Sequence, residues 1–144
     1  MKESTHAQGT LSIRLYGPDG ELKDERVVDN LIVSTGRAWL AQRMTGAPAL
    51  MSHMAIGTDN TVPALNNTGL FAEATRVALS SQQTSGNVTT YDATFPAGVG
   101  TGAIVEAGIF NAAAAGTMLN RATFAVVNKG ASDVMSITWA ITQQ

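Results

Sequence analysis

In the segment 134–142, large apolar side chains occupy every second position from Met135 to Ile141. Its apolar residues are Met135, Ile137, Trp139 and Ile141, and the residues between them are polar or small. Because successive side chains of a strand point to opposite faces of a sheet, this pattern predicts a strand with one buried face that carries Trp139 into the core. The preceding stretch, 101–124, predicts an antiparallel hairpin around a small-residue loop, Ala112–Gly116. The C-terminal third is therefore expected to form an antiparallel sheet.

Short alternating segments separated by turn residues recur along the rest of the chain. Leu11, Ile13 and Leu15 predict a first strand, and a Gly-Pro-Asp-Gly turn at 17–20 leads into a charged second strand at 21–28, expected at a sheet edge. Further candidate strands lie at 51–56, 73–81 and 88–95, and the longest predicted loop is 57–67. Eight or nine short strands with frequent turns predict an all-β sandwich, of jelly-roll type, with one short α-helix.

The predicted helix runs from Gly36 to Met44. Ser34 or Thr35 is placed to cap its first turn, and Gly46 and Pro48 end it. A short helix in a β-rich chain commonly closes one end of a sandwich. We expect it to turn Trp39, Leu40 and Met44 toward the sheet and to leave Arg37 and Arg43 outside.

The chain has 144 residues, 44% of them hydrophobic, which suits one domain with one core. The polar residues 1–9 predict a flexible N-terminal arm, and residues 10–144 predict a single sandwich domain. The N-terminus lacks the apolar core of a signal peptide, and no apolar run approaches the roughly 20 residues of a membrane span. We therefore expect a protein made in the cytoplasm, or in a particle assembled there, with no membrane partner.

Charged residues make up only 14% of the chain, against about 25% in typical soluble domains. The net charge is −2 and the basic residues are scattered, so the sequence does not favour nucleic-acid binding. There is no cysteine, which excludes disulfides and thiolate metal sites. A surface this neutral fits a protein that buries part of it against partners, and it equally fits a Thr-rich β-protein without such contacts.

Few residues offer catalytic or metal-binding chemistry. His6 and His53 stand alone, and Asp29–Asn30 and Asp59–Asn60 lack the spacing of a calcium loop, which favours turn chemistry. The Gly-x-Gly-x-Gly run at 98–102 precedes a strand rather than a helix, so it does not predict a phosphate site. The sequence therefore predicts no catalytic, cofactor-binding or metal residues, and a protein that is not an enzyme.

Two charges interrupt the predicted hairpin of the C-terminal third. Glu106 and Arg121 both lie in otherwise apolar strands, where an unpaired charge is costly. One interpretation is a cross-strand ion pair, alone or together with Glu73 and Arg76. The other is that Glu106 and Arg121 mark a contact surface for a partner.

Several short segments together resemble small structural proteins of tailed bacteriophages, a group that includes head-decoration and tail-associated components. They are Met54–Thr58, Leu70–Arg76, Glu106–Asn111, Asn128–Gly130 and Ile137–Trp139, and the likeness extends from Asn30 to Thr142. The resemblance implies a virion protein without enzymatic activity. It identifies structural positions and carries over no functional residues.

The favoured function is a capsid decoration (cement) protein that binds the outside of the phage head and bridges major capsid protein subunits. Symmetry would multiply many weak contacts, the protein would self-associate as a dimer or trimer, and its arm would order on binding. One alternative is a tail fibre or baseplate component. An alternative of another class is a carbohydrate-binding module, whose aromatic platforms would have to come from Trp39, Trp139, Tyr16 and Tyr91.

Overall fold

A computed structural model describes residues 7–144, and within them the chain forms ten strands and one helix. In chain order these are β1 Ala7–Tyr16, β2 Leu22–Asp29, β3 Leu31–Ile32, α1 Ser34–Arg43, β4 His53–Gly57, β5 Glu73–Ala78, β6 Ser81–Ser85, β7 Val88–Phe95, β8 Gly102–Phe110, β9 Met118–Lys129 and β10 Val134–Gln143.

The strands form two antiparallel five-stranded sheets. The first sheet has the order β2-β1-β10-β7-β6 and the second has the order β3-β9-β8-β4-β5. Apolar side chains from both sheets share one core, so the all-β sandwich with a single short helix is confirmed. The jelly-roll order of strands is not confirmed by this topology.

The core lies between the two sheets, and alternation along the strands fills it. From the first sheet it takes Leu11, Ile13, Met135, Ile137 and Trp139, and from the second Met54, Ile56, Ile104 and Ile109. The face predicted from the C-terminal alternation is buried throughout, and Trp139 is fully buried. Its ring N–H donates a hydrogen bond to the Asn30 side-chain oxygen. This bond satisfies the one polar atom of the Trp139 ring.

The prediction of a flexible arm is wrong for residues 7–9. β1 begins at Ala7, which pairs with Gln143, so residues 7–9 belong to the first sheet rather than to an arm. A Cβ atom added at Gly9 would lie 2.1 Å from the side-chain oxygen of Asn30, so this position has no room for a side chain. Residues 1–6, with the rest of the predicted arm and His6, lie outside the described residues.

The helix forms where it was expected but begins two residues earlier. Neither predicted cap acts at its N-terminus, because Val33 occupies the cap position in an extended conformation without a side-chain bond. Thr35 instead donates its hydroxyl hydrogen to the Met118 carbonyl oxygen at 2.9 Å. A Cβ atom at Gly36 would lie 1.9 Å from the Leu119 carbonyl oxygen, so α1 packs backbone against β9 at this glycine.

The predicted orientation of the helix is correct only in part. Trp39 is buried, Leu40 packs partly against the core and Arg37 is exposed, as expected. The prediction for Met44 was wrong: its side chain is 87% exposed, because α1 ends at Arg43 and Met44 lies in the turn that follows. Arg43 folds back and donates to the Pro48 carbonyl oxygen at 2.7 Å.

The predicted strand 73–81 divides into two strands of different sheets. β5 pairs with β4 in the second sheet, whereas β6 pairs with β7 in the first. The chain crosses between the sheets at Leu79 and Ser80, whose N–H groups donate to the Ser52 and Asp92 carbonyl oxygens. The alternation of Thr75, Val77 and Leu79 with the residues between them continues up to the crossing, so the residue pattern did not reveal it.

Candidate functional site: a loop fixed by a buried ion pair

The longest connection without helix or strand in the described part of the chain is residues 58–72, between β4 and β5. We call it the anchored loop. It covers the outer face of the second sheet, the face turned away from the sandwich core. Loops of this length in compact domains are commonly functional, so its attachment to the sheet decides what it can do.

The ion pair predicted from the sequence lies beneath this loop. In the β8–β9 ladder, Glu106 is opposite Thr123 and Arg121 is opposite Gly108, so the two charges are diagonal neighbours. Arg121 donates from Nη2 and Nε to Glu106 Oε1, at 3.0 and 3.1 Å. Both side chains are fully buried. The cross-strand pair is therefore confirmed.

Glu106 also binds both ends of the anchored loop. Its Oε2 accepts hydrogen bonds from the backbone N–H of Asp59 at 3.1 Å and of Ala72 at 2.9 Å. Its Oε1 accepts a third from the N–H of Phe71 at 3.1 Å. A buried carboxylate with this many donors is well compensated, and it draws the two ends of the loop onto one side chain.

Arg121 binds the middle of the same loop. Its Nη1 donates to the Thr61 carbonyl oxygen at 2.7 Å and to the Asn67 side-chain oxygen at 3.4 Å. Its Nη2 donates to the Asp59 carbonyl oxygen at 3.3 Å. The guanidinium carbon lies 4.5 Å from the centre of the Phe71 ring. The whole guanidinium group is thus used on Glu106 and the loop.

Short-range bonds complete the loop. The N–H of Thr61 donates to Asp59 Oδ1 at 2.8 Å, and the N–H of Ala64 donates to the Asn67 side-chain oxygen at 3.0 Å. Hydrogen bonding from the Thr61 side chain, and then from its N–H, lowers the pKa of the Asp59 carboxyl below its ordinary value. Asp59 therefore serves in a turn, the interpretation favoured from the sequence.

The sheet beneath the loop is shaped to admit it. A Cβ atom at Gly57 would lie 2.5 Å from both the Ala72 carbonyl oxygen and Glu106 Oε2. On the same outer face, Val33, Ala55, Phe110 and Met118 form a small apolar cluster, and Leu70 of the loop packs against it. The loop is therefore held by apolar contacts as well as by the ion pair.

The anchored loop exposes three large apolar side chains among polar ones. Val62, Leu65 and Phe71 are 78%, 48% and 50% exposed. An open pocket of about 370 Å³ is lined by residues 66–71. The fixed backbone and exposed apolar side chains make this the surface best prepared for a macromolecular contact.

Comparison with known proteins gives no relative. No protein-family model, curated protein or solved structure matches this chain. Across residues 7–144, no helix is long and apolar enough to span a membrane.

Glu73 and Arg76 form a separate pair, not joined to Glu106. Their closest atoms are 2.8 Å apart, and the Arg76 guanidinium lies 3.7 Å from the centre of the Phe110 ring. Arg76 also donates to the carbonyl oxygens of Ala112 and Ala115, at 3.0 and 2.9 Å. This arginine therefore fixes the loop of the β8–β9 hairpin.

The other candidates from the sequence lie apart from the anchored loop. His53 Nδ1 is 2.8 Å from the hydroxyl oxygen of the neighbouring Ser52. Asp29 accepts a hydrogen bond from the Thr10 hydroxyl at 3.3 Å, and residues 98–102 lead into β8 as expected. Within the described chain, no group of three or more His, Cys, Asp or Glu residues could hold a metal ion.

The rings proposed as carbohydrate platforms are not displayed. Trp39, Trp139 and Tyr91 are buried, and Tyr16 is half-buried. The most exposed aromatic side chain of the anchored loop is Phe71, which was not among the sequence candidates.

Sequence reasoning missed a second polar cluster, at the turn between β9 and β10. Lys129 is buried and donates to the Pro96 and Asp133 carbonyl oxygens at 2.9 and 2.8 Å. The Asp133 carboxylate accepts from Lys23 at 2.9 Å and from the N–H of Gly130 at 2.7 Å. These bonds, chiefly the one from Lys23, lower the pKa of Asp133 below its ordinary value. In the sequence, the close spacing of Lys129 and Asp133 is the feature that could have indicated this cluster.

Proposed function

We propose that this chain is a structural protein of a tailed-phage virion, specifically a capsid decoration (cement) protein on the outside of the head. Its partner would be the major capsid protein, and the anchored loop would make the contact. The observation that carries the proposal is the exposure of Val62, Leu65 and Phe71 on a loop fixed by a fully buried ion pair. The resemblance to tailed-phage structural proteins supplies the class.

The physical argument rests on preorganisation. A loop that is already ordered loses little conformational entropy on binding, so a modest apolar contact retains more of its favourable free energy. A capsid repeats each contact by symmetry, and self-association of the decoration protein as a dimer or trimer would add avidity. A protein with this role needs no catalytic group, cofactor or nucleic-acid surface.

The test uses purified particles that lack the protein and measures how many copies rebind. Val62→Asp places a charge on the exposed side of the anchored loop, and we expect occupancy to fall by roughly tenfold or more because a charge is buried in the contact. The matched control is Val27→Asp on β2, where the side chain is 72% exposed at a distant edge. Equal occupancy for both variants would reject the loop as the contact surface.

A second experiment separates the head from the tail. Labelled protein located by electron microscopy should decorate the head, and the decorated particles should resist heat-induced loss of DNA better than bare ones. Protein found only on tails would reject the decoration role and favour the fibre or baseplate alternative.

The role of the N-terminus needs a revised deletion. Because residues 7–9 pair in β1, removal of residues 1–9 would damage the sheet as well as any arm. Deleting residues 1–6 tests the arm alone. Reduced occupancy with an unchanged melting temperature is the result expected if these residues contribute to binding.

A further inference from the structure

The two edges of the first sheet have opposite character. β2, at one edge, carries Lys23, Asp24, Glu25, Arg26 and Asp29 among its eight residues. β6, at the other edge, reads Ser81-Gln82-Gln83-Thr84-Ser85 and carries neither charge nor proline. We call Ser81–Ser85 the β6 edge. Natural proteins usually protect an edge strand with charges or proline, because its unpaired backbone groups can pair with another chain.

The charged side chains of β2 bind neighbouring residues at this edge of the sandwich. Lys23 is paired with Asp133, and Glu25 with Arg14, both at 2.9 Å. Arg26 donates to the carbonyl oxygens of Ala125 and Val126, at 2.6 and 3.0 Å, and so bridges to β9 of the second sheet. An added strand at this edge would have to displace these side chains.

At the β6 edge, Gln82 donates to the Met51 carbonyl oxygen at 3.2 Å, but the strand has no charged side chain or ion pair to protect it. It pairs on one side with β7 and ends the sheet on the other. Residues 82–85 are exposed, so the inward and outward faces of β6 are both accessible near its end. Alternate residues of an edge strand direct their N–H and C=O groups away from the sheet, where a further strand can bind them.

We propose that the β6 edge pairs with the β6 edge of a second copy of this chain, antiparallel about a twofold axis, to join two first sheets into one continuous sheet. With the axis at Gln83, Ser81 lies opposite Ser85 of the partner copy, Gln82 lies opposite Thr84, and Gln83 meets itself. This inference does not depend on where in a virion, or elsewhere, the protein acts.

Self-complementarity is the reason to name a second copy as the occupant. Hydroxyl and amide groups both donate and accept hydrogen bonds, so identical strands can satisfy each other. The β6–β7 hairpin already contains such a cross-strand pair, with the hydroxyl oxygens of Thr84 and Thr89 3.1 Å apart. Each copy carries a net charge of −2, yet this strand brings no like charges together.

The experiment measures molar mass by sedimentation across concentrations from about 1 μM to about 1 mM. The wild-type chain should pass from monomer to dimer. Gln83→Lys sets two ammonium groups against each other at the axis, and the dissociation constant should rise by roughly tenfold or more. Val27→Lys at the charged β2 edge is the matched control and should dimerise like the wild type.

Combining variants of opposite charge is the decisive part of the experiment. Gln83→Glu alone should weaken the dimer in the same way, whereas an equimolar mixture of Gln83→Lys and Gln83→Glu should dimerise at least as tightly as the wild type. In the wild-type dimer, hydrogen exchange should slow at those alternate residues of the β6 edge whose N–H groups point away from β7, and remain unchanged in β2.

Three results would overturn the proposal. They are a wild-type chain that remains monomeric at all concentrations, a Gln83→Lys variant that associates like the wild type, or a closed trimer. The melting temperatures of the variants, measured as monomers, show that loss of association is not loss of folding.

Discussion

The central strands of the second sheet, β4 and β8, are largely buried on both faces, but different interactions bury the two faces. The inner face packs Met54, Ile56 and Ile109 into the core. The outer face also has a small apolar cluster under Leu70, but there Glu106 and Arg121 hold the anchored loop through directional hydrogen bonds. Apolar burial is non-directional and scales with area, so it stabilises many similar packings.

The outer face follows a different rule. A buried ion pair adds little net stability compared with an apolar pair, but it strongly disfavours any conformation that leaves one charge unpaired. Here the groups that satisfy the pair are backbone N–H and C=O groups of the loop. The inner face thus stabilises the fold, and the outer face selects one conformation for a segment with no regular secondary structure.

Disrupting the packing of the inner face should lower the free energy of unfolding the most. Trp139→Ala is expected to lower the free energy of unfolding by about 3–5 kcal/mol, because it leaves a cavity and removes the donor to Asn30. Chemical denaturation measures this loss. Val27→Ala, at an exposed site, is the control with little change. A loss below about 1 kcal/mol would mean that Trp139 is not central to the core.

Disrupting the ion pair on the outer face should lower the free energy of unfolding nearly as much. Arg121→Met leaves the Glu106 carboxylate buried without its cation, and we expect a loss of about 3 kcal/mol in unfolding free energy. The comparison is Arg14→Met, which removes the exposed pair with Glu25 and should lower the free energy of unfolding far less than Arg121→Met does. Similar losses in the two variants would show that burial of the pair is unimportant.

Removing both charges sharpens the distinction between stability and conformation. The double variant Glu106→Leu, Arg121→Met has no unpaired charge, so it should recover about 1–2 kcal/mol relative to Arg121→Met alone. The N–H groups of Phe71 and Ala72 lose their acceptor, so their hydrogen exchange should accelerate. Exchange as slow as in the wild type would show that the ion pair does not fix the loop.

Removing the ring above the pair should have a smaller effect. Phe71→Ala deletes the contact with the Arg121 guanidinium, and a half-exposed contact of this kind contributes about 0.5–1 kcal/mol. Thermal unfolding measures it. Phe71→Leu is the control that retains apolar volume without the ring, and it separates the two contributions.

Acid titration measures the contribution of Asp133, in the polar cluster at the β9–β10 turn, to stability. The pKa of Asp133 is lowered by Lys23 and by the N–H of Gly130, so the folded state favours its ionised form. This contribution is complete above the ordinary pKa of about 4 and is lost as the pH falls toward the lower folded-state value. Between about pH 5 and pH 2, the melting temperature of the wild type should therefore fall further than that of Asp133→Asn. Parallel curves would contradict this.

Much of the architecture was predictable because alternation determines which face of a strand is buried. Trp139, the β8–β9 hairpin and the Glu106–Arg121 pair all followed from apolar pattern and the cost of a lone charge. The attachment of the loop was not predictable, since the backbone N–H groups of Phe71 and Ala72 make it and every residue type except proline supplies such a group.

The errors share one physical cause, which is the position of breaks in regular structure. Met44 fits the helical pattern, yet α1 ends one residue before it. Residues 73–81 fit one strand, yet the chain changes sheet at Leu79 and Ser80. Periodicity describes the interior of an element and gives little information about where tertiary contacts end it.

The place of β10 in the first sheet also constrains when that sheet can assemble. β10 lies between β1 and β7, and it is the strand that joins β1 to β7 in this sheet. On a ribosome, the hairpins β1–β2 and β6–β7 can each form as they emerge, but they remain separate until residues 134–143 follow. Nascent chains arrested before residue 134 should therefore expose the apolar sides of both hairpins to chaperones, whereas chains extended past residue 143 should bury them.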